Sequence, residues 1–426
     1  MEYRERILDR IISELMHELP AIALVGAKGV GKTETAKRLA ATVLELDIST
    51  PAKTIASSKD DLKALRERPV LIDEWSRVPV SWDNVRRIVD ENPSPAQFIL
   101  TGSATSFGLN IHSGAGRIVQ IPMRPLSLEE RALAHPVISL AKLLDEGSYD
   151  GIYEKSEINM EGYAHEVFAS GFPGIRNHSD RGIRALLDGY IESILNKEFD
   201  ELNIRVRKPS VLRAWLVAYA AATATTASYA KILRASTSGE EKQPSKDTTL
   251  VYRDILDRLY LTDRVEPWLP TSNFLAPLGR TPKHFLVDPA LALRLLKKTA
   301  SDIMLGNEQL DVGSSRDNSA FGRLFESLVA SSLKVYAQRN EAEISHFRAP
   351  DGRHEVDFII ERGSTIIGIE VKLATQITKE DASHLNWLES RLDGGKRFQK
   401  LILNVGSHAY NRDDGVLVVP FALLGS

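Results

Sequence analysis

The chain of 426 residues contains no cysteine, which excludes disulfides, thiolate zinc sites and cysteine nucleophiles. That absence suits a reducing, cytoplasmic setting. It also lacks any run approaching the ~20 apolar residues of a membrane span. The most apolar helical candidate, Ala214 to Ala230, is interrupted by Thr, Ser and Tyr residues. Met1-Glu2-Tyr3-Arg4-Glu5-Arg6 is too charged for the apolar core of a signal peptide. No membrane partner is therefore expected. Charge of one sign is lacking too: 54 Lys and Arg stand against 57 Asp and Glu, a net of −3. With no global basic field, any nucleic-acid contact must come from a local patch. Apolar content of 43% and charged content of 26% are those of an ordinary globular protein. The length allows two or three domains.

The most informative stretch is Gly26-Ala27-Lys28-Gly29-Val30-Gly31-Lys32-Thr33. It has the spacing of a phosphate-binding loop. The apolar run Ala21 to Val25 before it reads as a buried strand. Glu34 to Leu46 after it, free of Gly and Pro, can be helical. Glycines let backbone N–H groups face phosphate oxygens, and the helix N-terminus adds its positive dipole end. Lys32 is then expected to reach the β- and γ-phosphates of ATP, and Thr33 to ligate Mg²⁺. The alternation of Leu44, Leu46 and Ile48 leaves open a short strand from about Val43 in place of a helix running to Leu46.

About forty residues on, Val70-Leu71-Ile72-Asp73-Glu74 is an apolar strand ending in two acids. Asp73 suits Mg²⁺, through its water shell, and Glu74 suits the base that orients the attacking water. A helix is expected near Trp82 to Glu91. A third strand, Gln97 to Leu100, ends in Thr101-Gly102-Ser103. Ligands of open α/β sheets bind outside the carboxyl ends of strands, so Thr101 or Ser103 is a candidate γ-phosphate sensor, against a plain polar turn. Arg117, before the strand Ile118 to Ile121, is a candidate for stabilising phosphate charge in its own subunit or a neighbour's, against a surface arginine.

These motifs, with Leu46-Asp47, Trp75-Ser76-Arg77-Val78-Pro79 after the acidic pair, and Pro125-Leu126-Ser127-Leu128-Glu129-Glu130, occur in an order that resembles the prokaryotic AAA-type ATPases with a C-terminal DUF4143 domain. The resemblance spans nearly the whole chain. Members usually carry Arg-Gln where this chain has Lys28-Gly29, and Ile-Gln where it has Trp75-Ser76. The catalytic positions match, so the departures bear on partner contacts.

Residues 131 to 200 read as mainly helical, with Gly171-Phe172-Pro173-Gly174 similar to the family's structural Gly-Gly-Phe-Pro turn. Helices at Arg213 to Ala222, Ser228 to Ala235 and Thr248 to Leu261, then Leu259-Tyr260-Leu261 and Arg264 to Trp268, resemble a winged helix. Such a module can present its helix to a DNA major groove, here with Lys246, Arg253 and Arg258, or serve only as packing. His284 to Asp288 reads as a strand, Ala290 to Lys298 as a helix, and Ser301 to Asn318 as a polar linker.

A second constellation lies near the C-terminus. Glu326 sits in an amphipathic helix, Phe321 to Ala337; Asp357 in the strand Glu355 to Ile360; Glu370 and Lys372 in the strand Gly368 to Lys372. Strand residues two apart share a face, so Glu370 and Lys372 project together while Ile369 and Val371 pack behind. The arrangement resembles the PD-(D/E)xK nucleases. There Glu326, Asp357 and Glu370 would hold Mg²⁺ beside a scissile phosphate, and Lys372 would position hydroxide. His346, Arg348 and His354 read as a polar hairpin, against a phosphate contact, and Trp387 as core, against a base-stacking platform.

The expected architecture is α/β: a P-loop AAA-type parallel sheet over 1–135, a helical and winged-helix region over 136–300, and a restriction-endonuclease-like α/β domain over 301–426. The expected activity is Mg²⁺-dependent ATP hydrolysis coupled to DNA binding or processing, in a homo-oligomer for which a hexameric ring is one form. The alternative is a nucleotide-controlled scaffold whose C-terminal domain only binds a partner.

Overall fold

The computed structural model describes residues 3–102, 114–147, 149, 152–199, 209–237, 246–269, 281–308, 317, 319–392 and 395–426, without the side chains of 246–248 and 306–308. Ser103 and most of the 309–318 stretch fall outside these, as does the Lys246 side chain.

The N-terminal layer begins with helix α1 (Ile7–Met16), then β1 (Ala21–Val25), α2 (Lys32–Leu39) and β2 (Thr42–Glu45). The helix after the loop stops at Leu39 and a short strand follows; of the alternating residues Leu44 lies in it, while Leu46 and Ile48 fall in the turn beyond. Two small helices, α3 (Thr50–Ser57) and α4 (Lys59–Ala64), are each capped by a serine, Ser49 and Ser58. They precede β3 (Val70–Asp73), α5 (Val80–Glu91), β4 (Phe98–Thr101) and β5 (Ile118–Pro122). The sheet order is β2-β3-β4-β1-β5, and every pairing is parallel. Strand alternation divides the core. Ala21 and Ala23 face Trp82, Val85 and Ile88 of α5. Ile22 and Leu24 face α1 and the middle of the chain. A parallel sheet covered on both faces is stable because neither face meets water.

After β5 come β6 (Ile138–Ser139), α6 (Leu140–Glu146), α7 (Met160–Ala169), α8 (Pro173–Arg176) and α9 (Asp180–Ser193). Then follow α10 (Pro209–Ala221), α11 (Tyr229–Ser236), α12 (Lys246–Arg258) and β7 (Glu266–Pro267). In place of the strand expected at His284 to Asp288, isolated bridges join Thr225 to His284, Thr262 to Leu286 and Val265 to Lys283. Helix α13 (Pro289–Leu295) is followed by α14 (Ala300–Glu308), where the sequence suggested linker.

The C-terminal part holds α15 (Ala320–Arg339), the strands β8 (Glu343–Arg348), β9 (Glu355–Arg362) and β10 (Thr365–Lys372), helix α16 (Ser383–Glu389), and β11 (Arg397–Asn404), β12 (Tyr410–Asn411), β13 (Val416–Pro420) and β14 (Leu424–Gly425). Its mixed sheet runs β12-β13-β11-β10-β9-β8-β7. The middle of the chain is woven into it. Strand β7 extends the sheet beside β8. Leu143 and Leu144 of α6 accept hydrogen bonds from Gln399 and Arg397. The last strand, β14, pairs with β6.

One continuous apolar core joins a face of the first sheet, the middle helices, α15 and a face of the second sheet. Its polar clamp is Glu166. This buried carboxylate meets Arg131 at 2.8 Å and Arg176 at 3.2 Å. Burial alone would raise the acid's pKa; His165, Arg131 and Arg176 more than reverse this and hold it at about 2. Its contribution is therefore present above about pH 4.5 and fades as the pH falls toward 2. Removing it leaves two buried guanidinium groups uncompensated, so Glu166→Ala should cost about 3–5 kcal/mol, read as a lower urea midpoint. An unchanged midpoint would contradict the clamp.

Candidate functional site

The phosphate loop connects β1 to α2. Gly26 has φ 150, and a Cβ there would stand 2.2 Å from the Met123 carbonyl oxygen, so only glycine fits. Gly29 and Gly31 are also left-handed, at φ 81 and 106. Ala27 and Val30 anchor the loop in the core, while Lys28 and Gly29 are exposed. Lys32 folds back over the loop, its Nζ donating to the carbonyls of Gly26 and Ala27 at 2.9 Å each. Burial pulls its pKa down to about 8, against the opposing pull of Glu74 and Asp73.

The strand order lays β3 and β4 beside β1, and their ends converge on the loop. Thr33 Oγ1 donates to Asp73 Oδ1 at 2.8 Å, and the Thr101 hydroxyl donates to the same oxygen. Asp73 and Thr101 are buried. Glu74, the next residue, is left-handed at φ 54, a conformation costing about 1–3 kcal/mol in a non-glycine residue. A carboxylate flanked by two hydroxyls is a hard oxygen set that suits Mg²⁺, and the glycine cradle suits a phosphate chain.

Arg117 lies elsewhere. Register pairs Ala21 with Ile118, so Arg117 sits at the amino end of the sheet. The five residues of β1 put roughly 16 Å between it and its own loop. It pairs with Asp90 at 2.7 Å. The own-subunit role is therefore excluded by topology, which leaves a neighbour's site or a plain surface arginine paired with Asp90.

The two departures from the family pattern have local explanations. Lys28 reaches across to Glu198 at 3.1 Å, and its carbonyl accepts from Tyr190 at 3.0 Å. Trp75 is buried against Trp82, 4.7 Å between ring centroids, beneath Gly102. Sequence reading missed the loop's other supports. Arg6 donates to the Val30 carbonyl at 3.0 Å and pairs with buried Glu130 at 3.0 Å. The turn at Phe172 and Pro173 packs beside Gly29 and Gly31.

The C-terminal constellation does assemble. The register of β9 and β10 ends with Ile369 opposite Phe358, which brings Asp357 and Glu370 side by side. Glu326, Asp357, Glu370 and Lys372 line one cleft of about 800 Å³, with Asp317, Arg323, Arg348, Glu355 and His384. Lys372 Nζ lies 2.9 Å from Glu370. Lys283, which the sequence did not single out, enters between Glu326 and Asp357, 2.8 Å from each. Burial alone would lower its pKa; Asp357, Glu326 and Glu355 lift it well above the ordinary lysine value. Burial raises Glu326 and Glu370 to about 8. Asp357, by contrast, is lowered, because Lys283 and Lys372 outweigh its burial.

Among the described residues no three carboxylate or imidazole groups converge as a metal-ligand set. The expected Mg²⁺ ligands Glu326, Asp357 and Glu370 do share one cleft, with an ammonium group lying among them.

The two sites are bridged by α15, whose 20 residues span roughly 30 Å. Glu326 lies toward one end. Toward the other, Ser332 and Tyr336 accept from the backbone of Leu128 and Glu129 at 3.0 and 3.1 Å. Lys334 and Arg124 share Asp263 at 2.7 and 2.9 Å.

Comparison with known proteins agrees with this division. Residues 18–132 match an AAA domain, residues 160–302 a domain of unknown function, DUF8612, and residues 321–424 a second domain of unknown function, DUF4143. The chain thus carries an N-terminal AAA-type P-loop domain and a distinct C-terminal α/β domain. Two uncharacterized proteins, of Mycobacterium bovis and Mycobacterium tuberculosis, are each 22% identical over 356 residues, covering 82% of this chain and 72% of theirs. Among solved structures, a Walker-type ATPase of Pyrococcus abyssi aligns over 69% of this chain and 96% of its own at 15% identity, TM-score 0.39. The ORC2 protein of Aeropyrum pernix aligns over 68% and 90%, also at 15% identity, TM-score 0.27. Neither overlap is close enough to argue from. Among the described residues no helix is long and apolar enough to cross a membrane.

Proposed function

We propose that this protein is a Mg²⁺-dependent, ATP-hydrolysing switch whose output is a nuclease-like C-terminal domain that engages DNA. The observation that carries the first half is the convergence of Lys32, Thr33, Asp73 and Thr101 at the carboxyl ends of β1, β3 and β4, with Glu74 strained beside them. Bound Mg²⁺ supplies charge neutralisation at the phosphates. Thr33 and Asp73 hold it, the loop amides and Lys32 orient the phosphate chain, and Glu74 takes the proton of the attacking water. Thr101 reports on the γ-phosphate through Asp73.

In a homo-oligomer Arg117, remote from its own loop, would serve the neighbouring one. The contacts of Lys28 with the middle region, and of α15 with the segment after β5, supply a mechanical link from loop to cleft.

The DNA half rests on the cleft chemistry, on adjacent strands plus a helical Glu. The three helices with bridges at Thr225, Thr262 and Val265 support a winged-helix reading of 209–287. A packing role suits that module best. Arg253 stacks on Tyr229 at 4.7 Å and meets Asp254 at 3.8 Å, while Leu250 and Val251 are exposed. The scaffold alternative is favoured by one observation, the lysine among the cleft carboxylates.

Turnover measured with and without duplex DNA tests both halves. Basal hydrolysis stimulated several-fold by DNA is expected. Hydrolysis indifferent to single-stranded, double-stranded and branched DNA would favour the scaffold, and no hydrolysis would reject the switch.

A further inference from the structure

Three features of the cleft bear on what it can bind. First, Lys283 is not a wandering surface side chain. Its backbone exchanges hydrogen bonds with Val265, N–H to O at 2.9 and O to N–H at 3.0 Å. The next residue, His284, donates from its backbone to Thr225 at 3.0 Å. The residue is 1% exposed. Paired backbone on both sides therefore delivers the ammonium group to one place.

Second, that place is between the two carboxylates a metal would bridge. Nζ stands 2.8 Å from Glu326 Oε1, 2.8 Å from Asp357 Oδ1 and 3.4 Å from Glu355 Oε1. Mg²⁺ needs the same oxygens at about 2.0–2.1 Å. Two cations cannot share that space without strong repulsion in a partly desolvated cleft. Third, the remaining oxygens are partly taken. Asp357 Oδ2 accepts from the Val371 N–H at 2.9 Å, and Glu370 Oε2 accepts from Lys372 at 2.9 Å. Glu370 Oε1 is buried with no hydrogen-bond partner, and Lys283 engages only Oε1 of Glu326, so what keeps a divalent ion out is the ammonium charge itself.

We propose that Lys283 is a resident cation standing in the metal position of the C-terminal cleft, so that the cleft takes its ligand without a divalent metal. The inference deepens the nuclease-like reading of this domain and rests on it. The lysine offsets one charge of the carboxylate cluster and, unlike a metal, does not dissociate. Charge left to meet an anionic ligand then comes from Arg323 and Lys231 on the cleft wall, since Lys372 is paired with Glu370 and Arg348 faces Glu355. Such a cleft binds and does not hydrolyse, because nothing in it polarises a scissile phosphate or generates hydroxide through a metal.

The test is a calorimetric titration of the nucleotide-free full chain with MnCl₂. Wild type and Asp357→Asn should bind Mn²⁺ identically. Lys283→Met should gain one equivalent, lost again in Lys283→Met/Asp357→Asn. Lys283→Arg, which keeps the positive charge, should gain none. An equivalent in wild type that Asp357→Asn removes would overturn the proposal. So would a folded Lys283→Met that gains nothing, or a Lys283→Arg that gains a site. Should Lys283→Met not fold, wild type against Asp357→Asn decides the matter alone. Failure of DNA binding would remove the nuclease-like reading and leave this titration as it stands.

Discussion

Lys32→Ala should abolish ATP turnover, with a fall in kcat of at least about 10²–10³, the scale of losing one preorganised charge partner of the transition state. The reason lies in how the side chain is stored. Its ammonium group rests on the Gly26 and Ala27 carbonyls, buried, with its pKa at about 8. Incoming phosphates replace those carbonyl contacts and favour the charged form. Binding should therefore take up protons where Lys32 is partly neutral. The sign is checkable. Below about pH 8 the lysine is already charged and little uptake occurs. Between about 8 and 10 the free protein has lost the proton that the complex regains, so apparent affinity for ATP weakens as the pH rises. Titrations at pH 8.5 in buffers of different ionisation enthalpy measure the uptake, and Lys32→Ala should show none. Full turnover by that variant would reject the site.

Glu74→Gln should behave differently: ATP bound, hydrolysis lost. Removing a general base costs typically about 10²–10⁴ in rate, while the phosphate cradle and the Thr33–Asp73 pair are untouched. The left-handed backbone at φ 54 sharpens the expectation, since glutamine keeps the same backbone demand. Stability should thus stay near wild type while turnover disappears. Single-turnover experiments with labelled ATP distinguish the two losses. If the variant failed to bind ATP, Glu74 would be structural.

Much of the nucleotide site was legible because its signals are local. A glycine loop between an apolar strand and a helix, and a strand ending in two acids, declare themselves within ten residues. The pairing of Glu370 with Lys372 was legible for the same reason, strand period. What was not legible depends on long-range packing. Lys283 sits between Pro282 and His284 in a stretch that reads as a strand edge, and its partners lie 43 and 74 residues downstream. No periodicity announces a lysine that points inward. Arg117 was found, but which end of the sheet it occupies follows only from parallel register. Strands β11 and β13, the helix at Ala300–Glu308, and the return of β14 to β6 went unanticipated, since apolar runs there carry no motif.

Lys28 and Trp75, odd against the family pattern, have the plainest explanations once folded: an ion pair to Glu198, and a ring filling the space beneath Gly102. The first of these matters for coupling. It ties the tip of the phosphate loop to the chain segment after α9, while α15 ties the other side of the sheet to the cleft.

Hydrogen–deuterium exchange on the Glu74→Gln variant, with and without ATP, tests that coupling most directly. Bound ATP should alter exchange in residues 281–287 and 320–339, far from the loop, as well as in the loop itself. Changes confined to residues 18–132 would mean that nucleotide is sensed at the first site and not transmitted to the second.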